Sequence, residues 1–357
     1  VSLLGLSLIL ASCGGGSSPA PVAFAYVAHP QSWSLSVISI PADKTVSNVE
    51  IGTSSSSSLT TTASDPTGVA VTPDRHRIYV TDAISSVWVV DTGSNSVIAK
   101  IAAGSDPEAI AITPDGKSAY VTSITCGLLL CSGPSNPPQM ASVEVIDTAS
   151  NSLKATITIG EVPEVLLNGI AISPDGARAY VANGVGNQIW AIDTASNQIA
   201  TMIPTAVSQF YDVSISPDGR RLYAAGITNG PVVEVIDTKA DDVIASIVLP
   251  STEVPPEAGI FANPPLKIAI TLDGDHAYVT GFLGSVWIVD TTTNAAVAVP
   301  VSVGNPLLDV AFTPDGTRAY ISCGNTNTIY VLDTATYNVV ASVPSLAPGG
   351  LAIAPTT

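Results

Sequence analysis

Asp212, Lys267 and Asp309 follow one another at intervals of 55 and 42 residues, and each lies five residues before the second position of a turn. That position is Pro217, Leu272 and Pro314 in turn, followed each time by Asp-Gly. Elsewhere the equivalent position holds Gly68, Ala109, Gly169 and Gly350, so three charged side chains stand where the chain otherwise uses its smallest residues. The residue just before adds Glu108, Asn168 and Tyr211. Carboxylates brought together with one ammonium can serve as acid or base toward a bound molecule. They can equally lock the ammonium into an ion-pair network that fills the space.

The elements that place these residues form a repeat. Its clearest copy reads Gly68-Val69-Ala70-Val71-Thr72-Pro73-Asp74, then Ile78-Tyr79-Val80-Thr81-Asp82, then Val87-Trp88-Val89-Val90-Asp91-Thr92, then Ser96-Val97-Ile98-Ala99-Lys100-Ile101. The marker tyrosines Tyr26, Tyr79, Tyr120, Tyr180, Tyr223, Tyr278 and Tyr320 are spaced 53, 41, 60, 43, 55 and 42 residues apart. Four short strands per unit of this length predict a β-propeller blade. Pro-Asp-Gly at residues 114–116, 174–176, 217–219 and 314–316 presets one dihedral and supplies a glycine for positive φ, as a tight hairpin needs. Asp91, Asp147, Asp193, Asp237, Asp290 and Asp333, each followed by Thr, suit turns that bond their own backbone, which makes a sixfold Asp structural. Trp88, Trp190, Trp287 and Tyr330 precede that Asp by three residues and are expected to pack between blades.

The count closes a ring. Phe24-Ala25-Tyr26-Val27 begins at the second strand of a blade, and Gly350-Leu351-Ala352-Ile353-Ala354 is a first strand with no blade after it. The two are expected to share one blade, giving an all-β, seven-bladed propeller of four-stranded blades with no free edge, over residues 22–357.

Ile78-Tyr79-Val80-Thr81-Asp82, Ala179-Tyr180-Val181-Ala182-Asn183 and Val145-Ile146-Asp147-Thr148 resemble the YVTN family of β-propeller repeats. The resemblance implies an extracytoplasmic protein, often at the cell surface, and no particular activity. At the other end, Leu10-Ala11-Ser12-Cys13 after a short apolar run resembles the lipobox of bacterial lipoproteins. It implies a signal over residues 1–13, lipid attachment at Cys13 and a tether over 14–21. No basic stretch precedes the run, so the leader is expected to start upstream of Val1, and Gly14 after the Cys points toward the outer membrane. Export permits disulfides. Cys126 and Cys131, five apart, are read as one, while Cys323 is left unpaired as a small, partly buried thiol.

Composition and charge narrow the partners. The 357 residues include 12 basic and 29 acidic side chains, a net charge of −17, so nucleic acid is an unsuitable partner. In a four-stranded blade the connections after the second and fourth strands lie on one face, here called the top. Insertions at residues 52–65, 124–141 and 250–265 all map there, where binding usually resides in repeat folds. Asp65, Asp82, Asp106, Glu108, Glu161, Glu164, Asp212, Glu253, Glu257 and Asp309 also map to the top, against Lys267. Nine of the twelve basic residues fall in bottom turns.

His29 belongs to the top while His76 and His276 belong to bottom turns, so they cannot share a metal, and there is no Cys-x-x-Cys-His motif. Gly184-Val185-Gly186 lacks a third glycine and a following helix, so it is no dinucleotide site. The expectation from sequence is a non-catalytic lipoprotein, held to the membrane by its lipid alone, whose top face recognises an envelope protein or glycan. No cofactor is required. The alternatives are a lactonase or lyase using carboxylates at the channel mouth, and a structural domain stabilised by calcium on its acidic rim.

Overall fold

The structure is a computed structural model that describes residues 23–29, 32–40, 42–51, 66–82, 84–124, 140–162, 165–250 and 263–354. Among these, twenty-eight strands form seven antiparallel sheets of four, with no α-helix. We number the blades I to VII. Their innermost strands, which ring the central channel, are Leu351–Ile353, Pro66–Val71, Ile110–Ile112, Leu167–Ile172, Gln209–Ile215, Pro265–Ile270 and Leu307–Phe312.

Blade II shows why the sequence builds this form. Its second strand, Arg77–Asp82, is buried along nearly its whole length because neighbouring blades cover both faces, so it reads as an almost unbroken apolar run. Its outer strand, Ser96–Ala102, alternates exposed and covered residues because one face meets solvent. The hairpins behave as the turn chemistry predicts. In blade III, Asp115 Oδ1 accepts from Thr113 Oγ1 (2.7 Å) and the Lys117 N–H (3.0 Å), and Gly116 takes φ = 72°. In blade II, Asp91 Oδ1 accepts from the N–H and Oγ of Ser94 at 2.8 and 2.7 Å.

The ring closes as expected. Ala25, Tyr26 and Val27 pair with Ile353, Ala352 and Leu351, so the last strand becomes the innermost strand of the first blade. Seven apolar clusters fill the seven junctions between blades. Tyr79, Tyr120, Tyr180, Tyr223, Tyr278 and Tyr320 are among the largest fully buried side chains. Trp190 and Trp287 pack against the preceding blade, and Trp88 does so half-buried.

The tyrosines also carry a link that the sequence reading did not include. Tyr79 Oη donates to Asn151 Oδ1 of the next blade at 2.7 Å, and Tyr120 Oη repeats this with Asn197. Tyr320 Oη donates to Asp43 across the closure. The acceptor position lies four residues after the first residue of the strand-ending pair (Asp147 to Asn151, Asp193 to Asn197) and takes positive φ in every blade; six blades hold Asn or Asp there, which tolerate it best, and the seventh holds Tyr337.

One member of the acidic rim is corrected. Asp82 is buried: its Oδ1 accepts from the N–H groups of Ser85 and Ser86, and its Oδ2 from Trp88 Nε1. It closes a turn and adds nothing to the top surface. Cys13, Cys126, Cys131 and most of the three long insertions lie outside the described residues. Cys323 is a free, fully buried thiol.

Candidate functional site at the channel mouth

The inner strands bend where the charged residues stand. Phe210 pairs with Gly226 and Asp212 with Ala225, leaving Tyr211 as an extra residue. Leu266 and Leu308 are extra in the same way ahead of Lys267 and Asp309. A bulge of this kind kinks a strand and re-aims its side chains. The same shift recurs between Pro66 and Val69 and between Leu167 and Ile170, so the bulge belongs to the repeat, and in three successive blades a charged residue occupies it or follows it.

The small residues at this position meet the next blade. A Cβ on Gly169 would lie 2.0 Å from Asp212 Oδ1 and 2.6 Å from its Cα. A Cβ on Gly68 would meet the Glu108 carbonyl at 2.5 Å, and one on Gly350 the Thr67 carbonyl at 2.1 Å. Glycine is therefore what lets Asp212 turn toward the channel.

Asp212, only 8% exposed, is held by blade VI through both oxygens. Its Oδ2 accepts the Ile268 N–H at 3.0 Å, and its Oδ1 lies 3.7 Å from Lys267 Nζ. Asp309 is held similarly: Oδ1 accepts from the Val310 N–H at 2.8 Å and Oδ2 from the Leu351 N–H of blade I at 2.7 Å. Among the described residues Lys267 thus pairs directly with Asp212 alone, while Asp309 and Glu108 act on it from farther away. Asn168 Nδ2 donates to the Phe210 carbonyl at 2.7 Å, and Tyr211 Oη donates to Gln209 Oε1 at 3.4 Å.

Glu108 differs from the other two acids. Its backbone carbonyl accepts from Thr81 and Thr67, but no hydrogen bond ties its carboxylate among the described residues. It is open to water yet enclosed by the ring, facing Lys267 from three blades away. Desolvation raises its pKa, Lys267 lowers it, and Asp106 and Asp212 raise it further; the net shift is upward. Burial likewise raises Asp212 against the pull of Lys267, and it raises Asp309 to about 6. Burial alone would lower Lys267, but Asp212, Asp309 and Glu108 outweigh it and hold the ammonium charged. The mouth therefore holds three proton-avid carboxyls around one persistent cation.

Of the residues singled out from sequence, the structure gathers Asp212, Lys267, Asp309 and Glu108 into one electrostatic group, and places Asn168 and Tyr211 beside it in blade-to-blade and local bonds. Sequence reasoning missed that two of the acids are acceptors for backbone N–H groups of the next blade. It also missed Thr81, Thr122 and Ser322, two residues after the marker tyrosine, whose hydroxyls donate to the carbonyls of Glu108, Asn168 and Gly349. Hydroxyl residues recurring at that offset were the available signal. Among the described residues, no three His, Cys, Asp or Glu side chains converge closely enough to hold a metal ion.

Solved structures share this ring. A functionally unknown protein from Desulfotomaculum acetoxidans superposes with a TM-score of 0.72 at 19% identity, over 94% of this chain and 99% of that one. The periplasmic gluconolactonase PpgL of Pseudomonas aeruginosa gives 0.70 at 15% identity, over 94% and 100%. Kuenenia stuttgartiensis hydrazine synthase gives 0.67 at 23% identity, over 84% and 92%. At these identities the likeness is one of fold. No curated protein matches the chain in sequence. Residues 27–267, which span the mouth from blade I to Lys267, match the SMP-30/Gluconolactonase/LRE-like region, and the chain belongs to that family.

Proposed function

We propose that the chain hydrolyses a small uncharged lactone at the channel mouth, with Lys267 as the carbonyl-polarising cation and Glu108 as the general base. The observation that carries this reading is the contrast among the acids: Asp212 and Asp309 are bonded to backbone N–H groups, whereas the Glu108 carboxylate stands untied in the channel with a raised pKa. A carboxylate left untied in this way is free to accept a proton from a water beside it. Family membership and the fold shared with a gluconolactonase support the substrate class.

In the proposed reaction, water adds to the lactone carbonyl as Glu108 takes its proton. Negative charge develops on the carbonyl oxygen and is met by the Lys267 ammonium. The ring C–O bond then breaks, and Glu108 returns the proton to the departing alkoxide. Asp212 and Asp309 hold Lys267 and the strands in place. Excess negative charge at the mouth disfavours an anionic substrate and helps expel the hydroxy-acid product.

The test is pH-stat hydrolysis of glucono-δ-lactone and δ-valerolactone by the wild type, Glu108→Gln and Lys267→Met, all corrected for buffer hydrolysis. Loss of a general base or of an oxyanion donor costs on the order of a hundredfold. Wild-type rates no faster than buffer, or full activity in Glu108→Gln, would sink the reading. Saturable lactone binding without turnover would return the protein to recognition. The cell-envelope location belongs to the same proposal, and palmitate incorporation that disappears in Cys13→Ser would support it.

A further inference from the structure

We propose that the preferred substrate at the channel mouth is a lactone bearing an alkyl substituent, and that the substituent lies over an apolar sector formed by blades VI and VII. This deepens the hydrolase reading and rests on it for the lactone head.

The residue just before the charged register divides the mouth in two. Blades II to V hold Thr67, Glu108, Asn168 and Tyr211 there, blade I holds Gly349, and blades VI and VII hold Leu266 and Leu308. Both leucines are the extra residues of their bulges, and both stay partly open to solvent. Leu308 leans on the top hairpin of its own blade: a Cβ on Gly324 would meet Leu308 Cδ1 at 3.3 Å and Pro306 Cγ at 3.8 Å. Blade VI holds Phe282 where blade VII has Gly324, each being the residue after the second strand. Phe282 is 47% exposed and Leu283 beside it 39%. The hairpins of the two blades close against one strip of backbone. A Cβ on Gly284 of blade VI would fall on the Gly304 carbonyl, and a Cβ on Gly304 would meet Thr326 Cγ2 of blade VII at 2.8 Å. None of Leu266, Phe282, Leu283 and Leu308 joins the apolar clusters that fill the junctions between blades.

The chemistry of this sector selects the substituent. Covering apolar surface favours association in proportion to the area removed from water. Four side chains are too few for a stable protein interface, which engages about 20–30 residues a side. They match a short alkyl chain, and their placement ties that chain to the lactone, since Leu266 directly precedes Lys267 and Leu308 directly precedes Asp309. A lactone whose carbonyl meets the Lys267 ammonium, with the attacking water on the Glu108 side, leaves its substituent to the leucines and to Phe282 beyond them. A sugar lactone carries hydroxyls around its ring, and those turned toward blades VI and VII would lose water without gaining a partner.

Hydrolysis of δ-valerolactone, δ-octalactone, δ-decalactone and glucono-δ-lactone by the wild type, Phe282→Ser, Leu308→Ser and Val185→Ser tests the sector. Val185, 42% exposed in the top hairpin of blade IV, is the control. In the wild type kcat/KM should rise about two- to fourfold per added methylene, which puts δ-decalactone on the order of tenfold or more above δ-valerolactone. Phe282→Ser and Leu308→Ser should each cut that ratio at least fivefold, and Val185→Ser should not move it. A wild-type ratio near one, a preference for glucono-δ-lactone, or a ratio that survives both variants overturns the sector and leaves the hydrolase reading standing. Calorimetric titration with δ-valerolactam and its 6-pentyl derivative reads the sector without turnover. Affinity that grows with the tail and falls in Phe282→Ser and Leu308→Ser, with no lactone hydrolysed, supports the apolar sector and removes the hydrolase reading instead. Equal affinity for the two lactams overturns the sector, as does a dimer in light scattering that Phe282→Ser dissolves, because a second copy of the chain would then cover the patch.

Discussion

Lys267 Nζ reaches Asp212 Oδ1 across the junction of blades V and VI at 3.7 Å, and the neighbouring Ile268 N–H holds the other oxygen of the same carboxylate. One acid is thereby tied to the next blade by a side chain and by the backbone at once. The two partners are not equivalent. Removing the cation leaves Glu108, Asp212 and Asp309 facing one another with nothing to offset them, whereas removing Asp212 leaves Lys267 with two carboxyls still near. Lys267→Met should therefore destabilise more than Asp212→Asn at neutral pH. Breaking a fully buried pair costs several kcal/mol, and with Lys267 29% exposed the expected loss is about 1–3 kcal/mol. Denaturant unfolding at pH 7 measures both variants, and a larger loss in Asp212→Asn would show that the backbone bond outweighs the charge balance.

The pH dependence follows from Asp309. Its folded pKa of about 6 lies above the ordinary carboxylate value near 3.9, so the folded state holds its proton more tightly. Its contribution to stability is complete below about pH 4 and is lost as pH rises through about 6, amounting to about 3 kcal/mol at most. Glu108 and Asp212, also raised, act in the same direction. Two other sets oppose them. The turn aspartates such as Asp91 and Asp147 are lowered by their hydrogen bonds and favour the fold above their unfolded pKa. His29, lowered by burial, favours it as pH rises through the imidazole range. Comparison with Asp309→Asn isolates the one group: the variant should gain on the wild type as pH goes from 4 to 7. A constant difference across that range would mean that Asp309 ionises normally.

The ring was legible in the sequence because its determinants are local and repeated seven times. Tyr79 and its counterparts mark the second strand, Gly116 and its counterparts require the hairpin, and Leu351-Ala352-Ile353 completes a strand count visible in one dimension. The polar grouping at the mouth was legible for the same reason, since Asp212, Lys267 and Asp309 break a register of small residues. What Asp212 and Asp309 do there was not legible. Their partners are backbone N–H groups 56 and 42 positions away, which every residue but proline possesses and which no residue type signals. The bulge that aims them is equally silent, because Tyr211, Leu266 and Leu308 share no chemistry.

Gly169 is expected to be intolerant of even a methyl group. The added carbon would sit 2.6 Å from the Asp212 Cα, a backbone atom that no rotamer change can withdraw. Relief requires the innermost strand of blade V to shift, which pulls Asp212 away from the Ile268 N–H and Lys267. Gly169→Ala should thus destabilise by more than the 1–3 kcal/mol typical of overpacking. It should also weaken any ligand binding at the mouth. Alanine at Gly230, where an added Cβ meets nothing within 4 Å, is the matched control. Thermal unfolding of the two variants decides, and similar melting temperatures would mean that blade V accommodates the methyl without strain.

Closure of the ring gives the last expectation. The last strand, Leu351–Ile353, and the residues flanking it bring four bonds: Ala28 N–H to the Gly350 carbonyl at 2.9 Å, Gly349 N–H to the Ala28 carbonyl at 2.8 Å, Ala354 N–H to the Phe24 carbonyl at 3.0 Å, and Leu351 N–H to Asp309 at 2.7 Å. A chain ended after Ser345 loses them and bares the strand Phe24–His29, almost wholly buried in the intact ring, as an apolar edge with unpaired backbone groups. Blades I and VII also lose the Leu351 side chain from the cluster between them. The truncated chain should aggregate or dimerise edge to edge, and its unfolding should lose cooperativity, because every junction in a closed ring restrains its neighbours. Light scattering coupled to size exclusion and a melting curve test this together. A monomer that melts as the full chain does would show that blade I is stable with three strands and that closure contributes nothing to the fold.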